Sequence, residues 1–183
     1  MNEANKVKLS KFMSLVLRHQ PDRLGLVLDD AGWVDVQTLL AAMQKDGRKV
    51  SLQDLQEVVQ TNDKQRFKFS DDGLKIRASQ GHSVQVELGL PPVVPPDLLY
   101  HGTAIQTVAS IRKTGLEKRK RQHVHLSLDE VTALKVGQRH GRPVILVVRA
   151  GEMHKAGHEF FLSANGVWLT DAVPVAFLDF PPD

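Results

Sequence analysis

The chain has 183 residues, 42% of them hydrophobic, with 24 lysines and arginines against 21 aspartates and glutamates. That composition supports a packed core and excludes global disorder, while the net charge of +3 permits a polyanionic partner without requiring one. The absence of cysteine excludes disulfides, thiol catalysis and cysteine-based zinc sites, and no apolar run approaches bilayer-spanning length.

The start MNEANKVK is too polar for a signal peptide, so a cytoplasmic location without a membrane partner is expected. Leu9, Phe12, Met13, Val16 and Leu17 then recur at helical spacing and predict an amphipathic helix over 6–19. It ends on Arg18 and His19, before Gln20 and Pro21. Cations suit a helix C-terminus, where the backbone dipole is negative, but the same pair can also receive an anion. LGLVLD at 24–29 reads as a short strand and DDAG as a turn. Asp35 is placed to cap a helix over 36–46 that stops at Gly47. Ser51 with Asp54 three residues on predicts a capping box for a helix over 52–61. RFKFS and LKIRA, joined by DDG, predict a hairpin. Three helices followed by a two-stranded wing is the order of a winged helix, a fold that serves nucleic-acid and protein binding alike.

GLPPVVPPD at 89–97 holds four prolines in nine residues and reads as an extended linker. It separates an expected lobe at 1–88 from another at 98–183. Beyond it, strands are predicted near 98–100, 123–127, 143–149, 158–162, 167–170 and 175–180. Helices are predicted over 104–114 and 129–140. The whole is an α+β protein whose second lobe carries a mixed or antiparallel sheet. No G-x-G-x-x-G follows a strand, so a dinucleotide fold of the Rossmann type is not expected.

Several segments could carry chemistry. In LYHGT, a strand is expected to turn through His101, Gly102 and Thr103 into a helix, with the glycine allowing a ligand close to the backbone. In KRKRQHVHLS, His123, His125 and Ser127 share one strand face after four basic residues. Two histidines admit zinc, but no third ligand is evident. Lys118, Arg119 and Lys120 read as a solvated loop, and Arg121 is nearest the strand. Arg66 opens the wing. RASQGHS resembles an anion-binding turn that offers backbone amides and Ser83. SANGVWLT reads as a hairpin turn at Asn165 and Gly166, with Trp168 in packing.

In this order, Arg18 and His19, Arg66, RASQGHS, LYHGT, RQHVHLS and NGVWLT closely resemble the KptA family of NAD-dependent RNA 2′-phosphotransferases, from about Leu9 to Phe180. The resemblance implies a winged-helix lobe joined to an ADP-ribosyltransferase-like lobe, with the site in the cleft between them. It implies that an internal RNA 2′-phosphate is transferred to NAD, which is consumed as a co-substrate. Arg18, His19, Arg66 and Arg121 correspond to the catalytic tetrad. His101, Gly102, Thr103, His125, Ser127, Asn165 and Val167 correspond to the NAD side, and Gln80, Gly81, His82 and Ser83 to the RNA phosphate side. Val167 stands where many ADP-ribosyltransferases place a glutamate, although Glu159 is close in sequence. Lys118 and Lys120 are expected to meet flanking RNA. No metal and no obligate protein partner are expected.

Two other classes of function compete. A nucleic-acid-binding regulator requires a basic third helix, whereas SLQDLQEVVQ carries two acidic residues and neither lysine nor arginine. An ADP-ribosyltransferase acting on protein or on a nucleic-acid phosphate would stop at an ADP-ribosylated product.

Overall fold

The computed structural model describes residues 1–84, 86 and 88–182. The expected lobes include Gln85, Glu87 and the terminal Asp183, which lie outside the described residues. The chain divides into two compact units, Met1–Gly89 and Leu90–Asp183. Together they form a mixed α+β protein with small antiparallel sheets. No helix among the described residues is long and apolar enough to cross a membrane.

The first unit begins with α1, Glu3–Arg18. Its predicted stripe of Leu9, Phe12, Met13, Val16 and Leu17 is buried throughout. LGLVLD is not a strand. Pro21 instead starts a 3-10 turn, Pro21–Leu24, and Gly25 ends it in the left-handed region at φ 63°. Residues 26–29 then run on without joining a ladder. The strand that does form is β1, Val34–Asp35. Asp35 caps α2, Val36–Lys45, by accepting from the Thr38 amide at 2.8 Å. Those bonds to its carboxylate lower the Asp35 pKa. The predicted capping box of Ser51 and Asp54 opens α3, Leu52–Gln60, with both reciprocal bonds formed. The predicted hairpin is β2, Phe67–Phe69, against β3, Lys75–Ala78. β3 also pairs with β1, so the sheet order is β1-β3-β2. Leu39, Met43, Leu55, Phe67 and Ile76 close the core against α1.

The second unit is built on β4, Leu99–Ala104, which pairs antiparallel over six residues with the later strand β7, Pro143–Val148. The expected turn at His101, Gly102 and Thr103 is therefore strand. The helix expected over 104–114 starts later: a 3-10 turn, Ile105–Thr107, leads into α4, Val108–Thr114. Then come β5, Leu116–Glu117, β6, Val124–Leu126, and α5, Glu130–Gly137, the last extended by a 3-10 turn. β7, Pro143–Val148, runs into α6, Ala150–Lys155, a helix that the sequence pattern does not predict. β8, Phe160–Leu162, and β9, Trp168–Thr170, form the hairpin expected around Asn165 and Gly166. β10, Ala172–Val173, pairs with β5. The strand expected over 175–180 is a 3-10 turn, Val175–Phe177, followed by β11, Leu178–Asp179, which pairs with β7. A bridge between Tyr100 and Ser127 joins β4 to the chain just after β6.

Gly102 shows why α5 can cover β4. A Cβ there would lie 1.6 Å from the Ala133 carbonyl oxygen and 2.9 Å from the Gly137 amide nitrogen. This close approach is to a helix backbone of the same unit.

Candidate functional site

An α-helix leaves its last carbonyls without partners inside the helix. At the end of α1, the Arg18 carbonyl accepts from the Ser83 amide at 2.8 Å and from the Val84 amide at 3.3 Å. His19 follows as the C-cap, and its Nδ1 lies 2.9 Å from Ser83 Oγ. The same turn also holds Arg66. The β2–β3 ladder continues one step beyond Phe67 and Ala78, with the Ser79 amide donating to the Arg66 carbonyl at 2.8 Å. The Ser79 hydroxyl donates to the Gln65 carbonyl at 2.8 Å, and Gln65 sits at φ 41°, in the left-handed region. Arg18, His19 and Arg66, distant in sequence, are thus tied to the single turn 79–83.

The members of that turn differ in what they can offer. Gln80 is half-buried, and Gly81 is buried at φ 86°, a conformation that favours glycine. The Ser83 amide is spent on Arg18, so it is not available to an anion as expected. His82 points inward and is 2% exposed. A Cβ on Gly32 would lie 3.2 Å from its Nε2, and that buried nitrogen has no hydrogen-bond partner among the described residues. Burial, then the charges of Arg18, Arg77 and His19, push the His82 pKa down to about 4. The ring is therefore neutral at physiological pH. Arg77, at the other end of RASQGHS, is buried too: it stacks 4.4 Å over Trp33 and donates to the Ala31 carbonyl at 3.1 Å. It belongs to the packing of the β2–β3 hairpin.

In the second unit, His101 on β4 has its Nδ1 3.1 Å from the His125 carbonyl. A carbonyl only accepts, so Nδ1 carries the proton and a neutral ring has its lone pair on Nε2. Burial holds the His101 pKa below the ordinary histidine range; the bond to His125 opposes this, and the nearby charges of Arg121 and His140 add to it. Arg121 Nη1 lies 2.9 Å from His125 Nδ1. Desolvation, then the Arg139 charge, lower the Arg121 pKa. Thr103 Oγ1 is 2.6 Å from Thr107 Oγ1, whose own proton goes to the Ala104 carbonyl at 2.8 Å. The Thr103 hydroxyl is thus engaged at the start of the 3-10 turn. Ser127 exchanges two backbone bonds with Tyr100, at 2.7 and 2.9 Å.

Asn165 and Val167 lie in the β8–β9 turn. Asn165 Oδ1 meets the Ser163 hydroxyl, and the Val167 amide donates to Ser163 Oγ at 3.1 Å. Glu159 is exposed, and its carbonyl accepts from Thr170. His123 packs its ring against Phe161. Lys118 is engaged by Asp171 at 2.7 Å. No group of three or more histidines, aspartates or glutamates among the described residues could hold a metal ion.

Ser79 lies within RASQGHS, but its bond to Arg66 is not expected from the sequence, although its place immediately after LKIRA allows the ladder to continue. Thr107 carries no sequence signal, because its role depends on β4 extending to Ala104.

The family model described as RNA 2′-phosphotransferase, Tpt1/KptA family, matches residues 4–172. A Hahella chejuensis protein named "Probable RNA 2′-phosphotransferase" is 57% identical over 169 residues, covering 92% of this chain and 91% of that protein. Proteins of the same name from Rhodopirellula baltica and Herpetosiphon aurantiacus are each 54% identical. They cover 96% and 97% of this chain, and 96% and 98% of their own lengths, respectively.

Proposed function

The chain belongs to the RNA 2′-phosphotransferase, Tpt1/KptA family, and from this premise we propose that it removes an internal 2′-phosphate from RNA by transferring it to NAD. The observation that carries the phosphate side is the attachment of Arg18, His19 and Arg66 to the one turn at 79–83. A phosphate monoester carries about −1.5 to −2 charges at neutral pH. Arginine suits it because its planar fork donates to two oxygens at once and keeps its charge.

In the first step, a 2′-phosphate oxygen forms a bond to the anomeric carbon of the NAD ribose. The bond to nicotinamide breaks, and nicotinamide leaves with the electron pair. In the second step, the neighbouring 2″-hydroxyl attacks phosphorus and loses its proton, while the RNA 2′-oxygen leaves and takes one up. The products are RNA with a 2′-hydroxyl, nicotinamide and ADP-ribose 1″,2″-cyclic phosphate. Arg18, Arg66 and Arg121 stabilise charge on the phosphorane oxygens through fixed donors. His19, whose residue type titrates near neutral pH, handles a proton in this step.

His101, Gly102, Thr103, His125, Ser127, Asn165 and Val167 form the NAD side, and Gln80, Gly81, His82 and Ser83 the RNA side. The donor set fits NAD: a neutral His101 offers its Nε2 lone pair to a ribose hydroxyl. Valine at 167 suits an acceptor that brings its own anionic nucleophile. The α1-β1-α2-α3-β2-β3 order and the β1-β3-β2 sheet support a winged helix for the first unit. We assign the second unit to an ADP-ribosyltransferase-like lobe. The chemistry requires no metal.

A single-turnover incubation with NAD and a short RNA bearing one 2′-phosphate tests the reaction. The expected result, by mass, is RNA without the phosphate together with ADP-ribose cyclic phosphate. An RNA that gains ADP-ribose and keeps it in wild-type reactions would replace this reading with a nucleic-acid ADP-ribosyltransferase.

A further inference from the structure

We propose that His125 is a positioning residue for Arg121, an assignment that rests on the proposed role of Arg121 in phosphate transfer. The two residues are four apart, across the entry to β6. Within β6, Val124 and Leu126 point into the core, so the His125 side chain goes to the opposite face. Arg121 lies just before the strand in a tight turn. Its amide bonds to the Lys118 carbonyl at 2.9 Å, and Arg119 has a left-handed φ of 51°.

A guanidinium donates and never accepts. The 2.9 Å contact between Arg121 Nη1 and His125 Nδ1 therefore makes Nδ1 the acceptor, and the ring proton sits on Nε2. His101 shows the opposite tautomer, donating from its own Nδ1 to the His125 carbonyl. His125 is consequently fixed by its backbone on two sides, by His101 from β4 and by the pairing of His125 with Leu169 on β9. Arg121 is exposed, and its backbone is held by the turn bond to Lys118 rather than by strand pairing.

A free arginine side chain loses substantial rotamer entropy when it is ordered. An acceptor already held by two strands confines the guanidinium before the phosphate arrives, so less of that loss falls on the reaction step. The sequence resemblance places His125 among the NAD contacts; the hydrogen-bond geometry points to an effect exerted through Arg121.

The test compares His125→Ala, His125→Asn and His125→Gln in the full chain, with Arg121→Ala and the double variant Arg121→Ala/His125→Ala, in the 2′-phosphate assay. The Asn carbonyl oxygen stands near the place of Nδ1, and the Gln oxygen near that of Nε2. His125→Ala is expected to lower kcat by about 10- to 100-fold, the weight of one hydrogen bond to a charged group, a loss larger than any rise in KM for NAD. His125→Asn restores most of the rate and His125→Gln does not. In the Arg121→Ala background, removing His125 costs nothing further. An active wild type in which His125→Ala raises only KM for NAD, or in which the two losses multiply, overturns the assignment alone. If His125→Ala does not fold, equal rates for the Asn and Gln variants overturn it. A wild type that leaves the 2′-phosphate in place overturns the functional reading, and the assignment falls with it.

Discussion

Gly102→Ala unfolds the second unit or lowers its melting temperature by more than about 10 °C. The added methyl would sit 1.6 Å from the Ala133 carbonyl oxygen and 2.6 Å from its carbon. Both are helix backbone, and Gly102 is held in register with Ile145 within a six-residue ladder. Neither side can yield as a flexible side chain would. Ordinary overpacking costs about 1–3 kcal/mol; moving a helix off a paired strand belongs with the rarer losses of about 4 kcal/mol or more. For a chain of this length, each kcal/mol corresponds to roughly 2–4 °C. Thermal unfolding followed by circular dichroism measures it. A variant that melts like wild type would contradict this account.

Acidification destabilises the first unit through His82. Its pKa is about 4 in the fold, against about 6.5 in an unfolded chain. Between these values the unfolded state binds the extra proton, so stability falls as pH drops from about 6.5 to 4, and this contribution levels off below that. The loss attributable to His82 is about 3 kcal/mol. The cause is local: protonation would place another charge in a buried position near Arg18, Arg77 and His19. His82→Leu removes this slope. Urea unfolding followed by Trp33 fluorescence, with Trp168 replaced by phenylalanine in both proteins, should show the wild type losing stability relative to His82→Leu as pH falls. Parallel stability curves from pH 7 to 4 would contradict the assignment.

Features governed by local rules could be read from the sequence. Asp35 and the pair of Ser51 and Asp54 announce their helices because a cap acts over three residues. The stripe from Leu9 to Leu17 announces α1 because a helix repeats its face every turn. Where tertiary pairing decides, local signals misled. LGLVLD looks like a strand, yet Pro21 and Gly25 shape a 3-10 turn, and the two residues of β1 are too few to show alternation. HGT looks like a turn because of its glycine, but that glycine serves the crossing of α5 over β4. α6 has no side-chain cap at Arg149 to announce it.

The site divides in the same way. Arg18 and His19, Arg66, and the two histidine-bearing strands stand out as residue types, and the family resemblance supplies their roles. Their grouping was not visible. The contact between His19 and Ser83 spans 64 positions, and Ser79 reaches Arg66 because the β2–β3 hairpin closes in one register. The inward turn of His82 could not be read from GHS, since a histidine between glycine and serine looks like loop. Arg121 and His125 are close enough in sequence to suggest contact, but the direction of their bond requires the structure.

The most direct test of the central claim is the dependence of phosphate loss on NAD. With purified protein and RNA bearing a single 2′-phosphate, this account predicts one nicotinamide released for each phosphate lost and no loss when NAD is omitted. Inorganic phosphate released at the same rate without NAD would contradict it and identify a phosphatase.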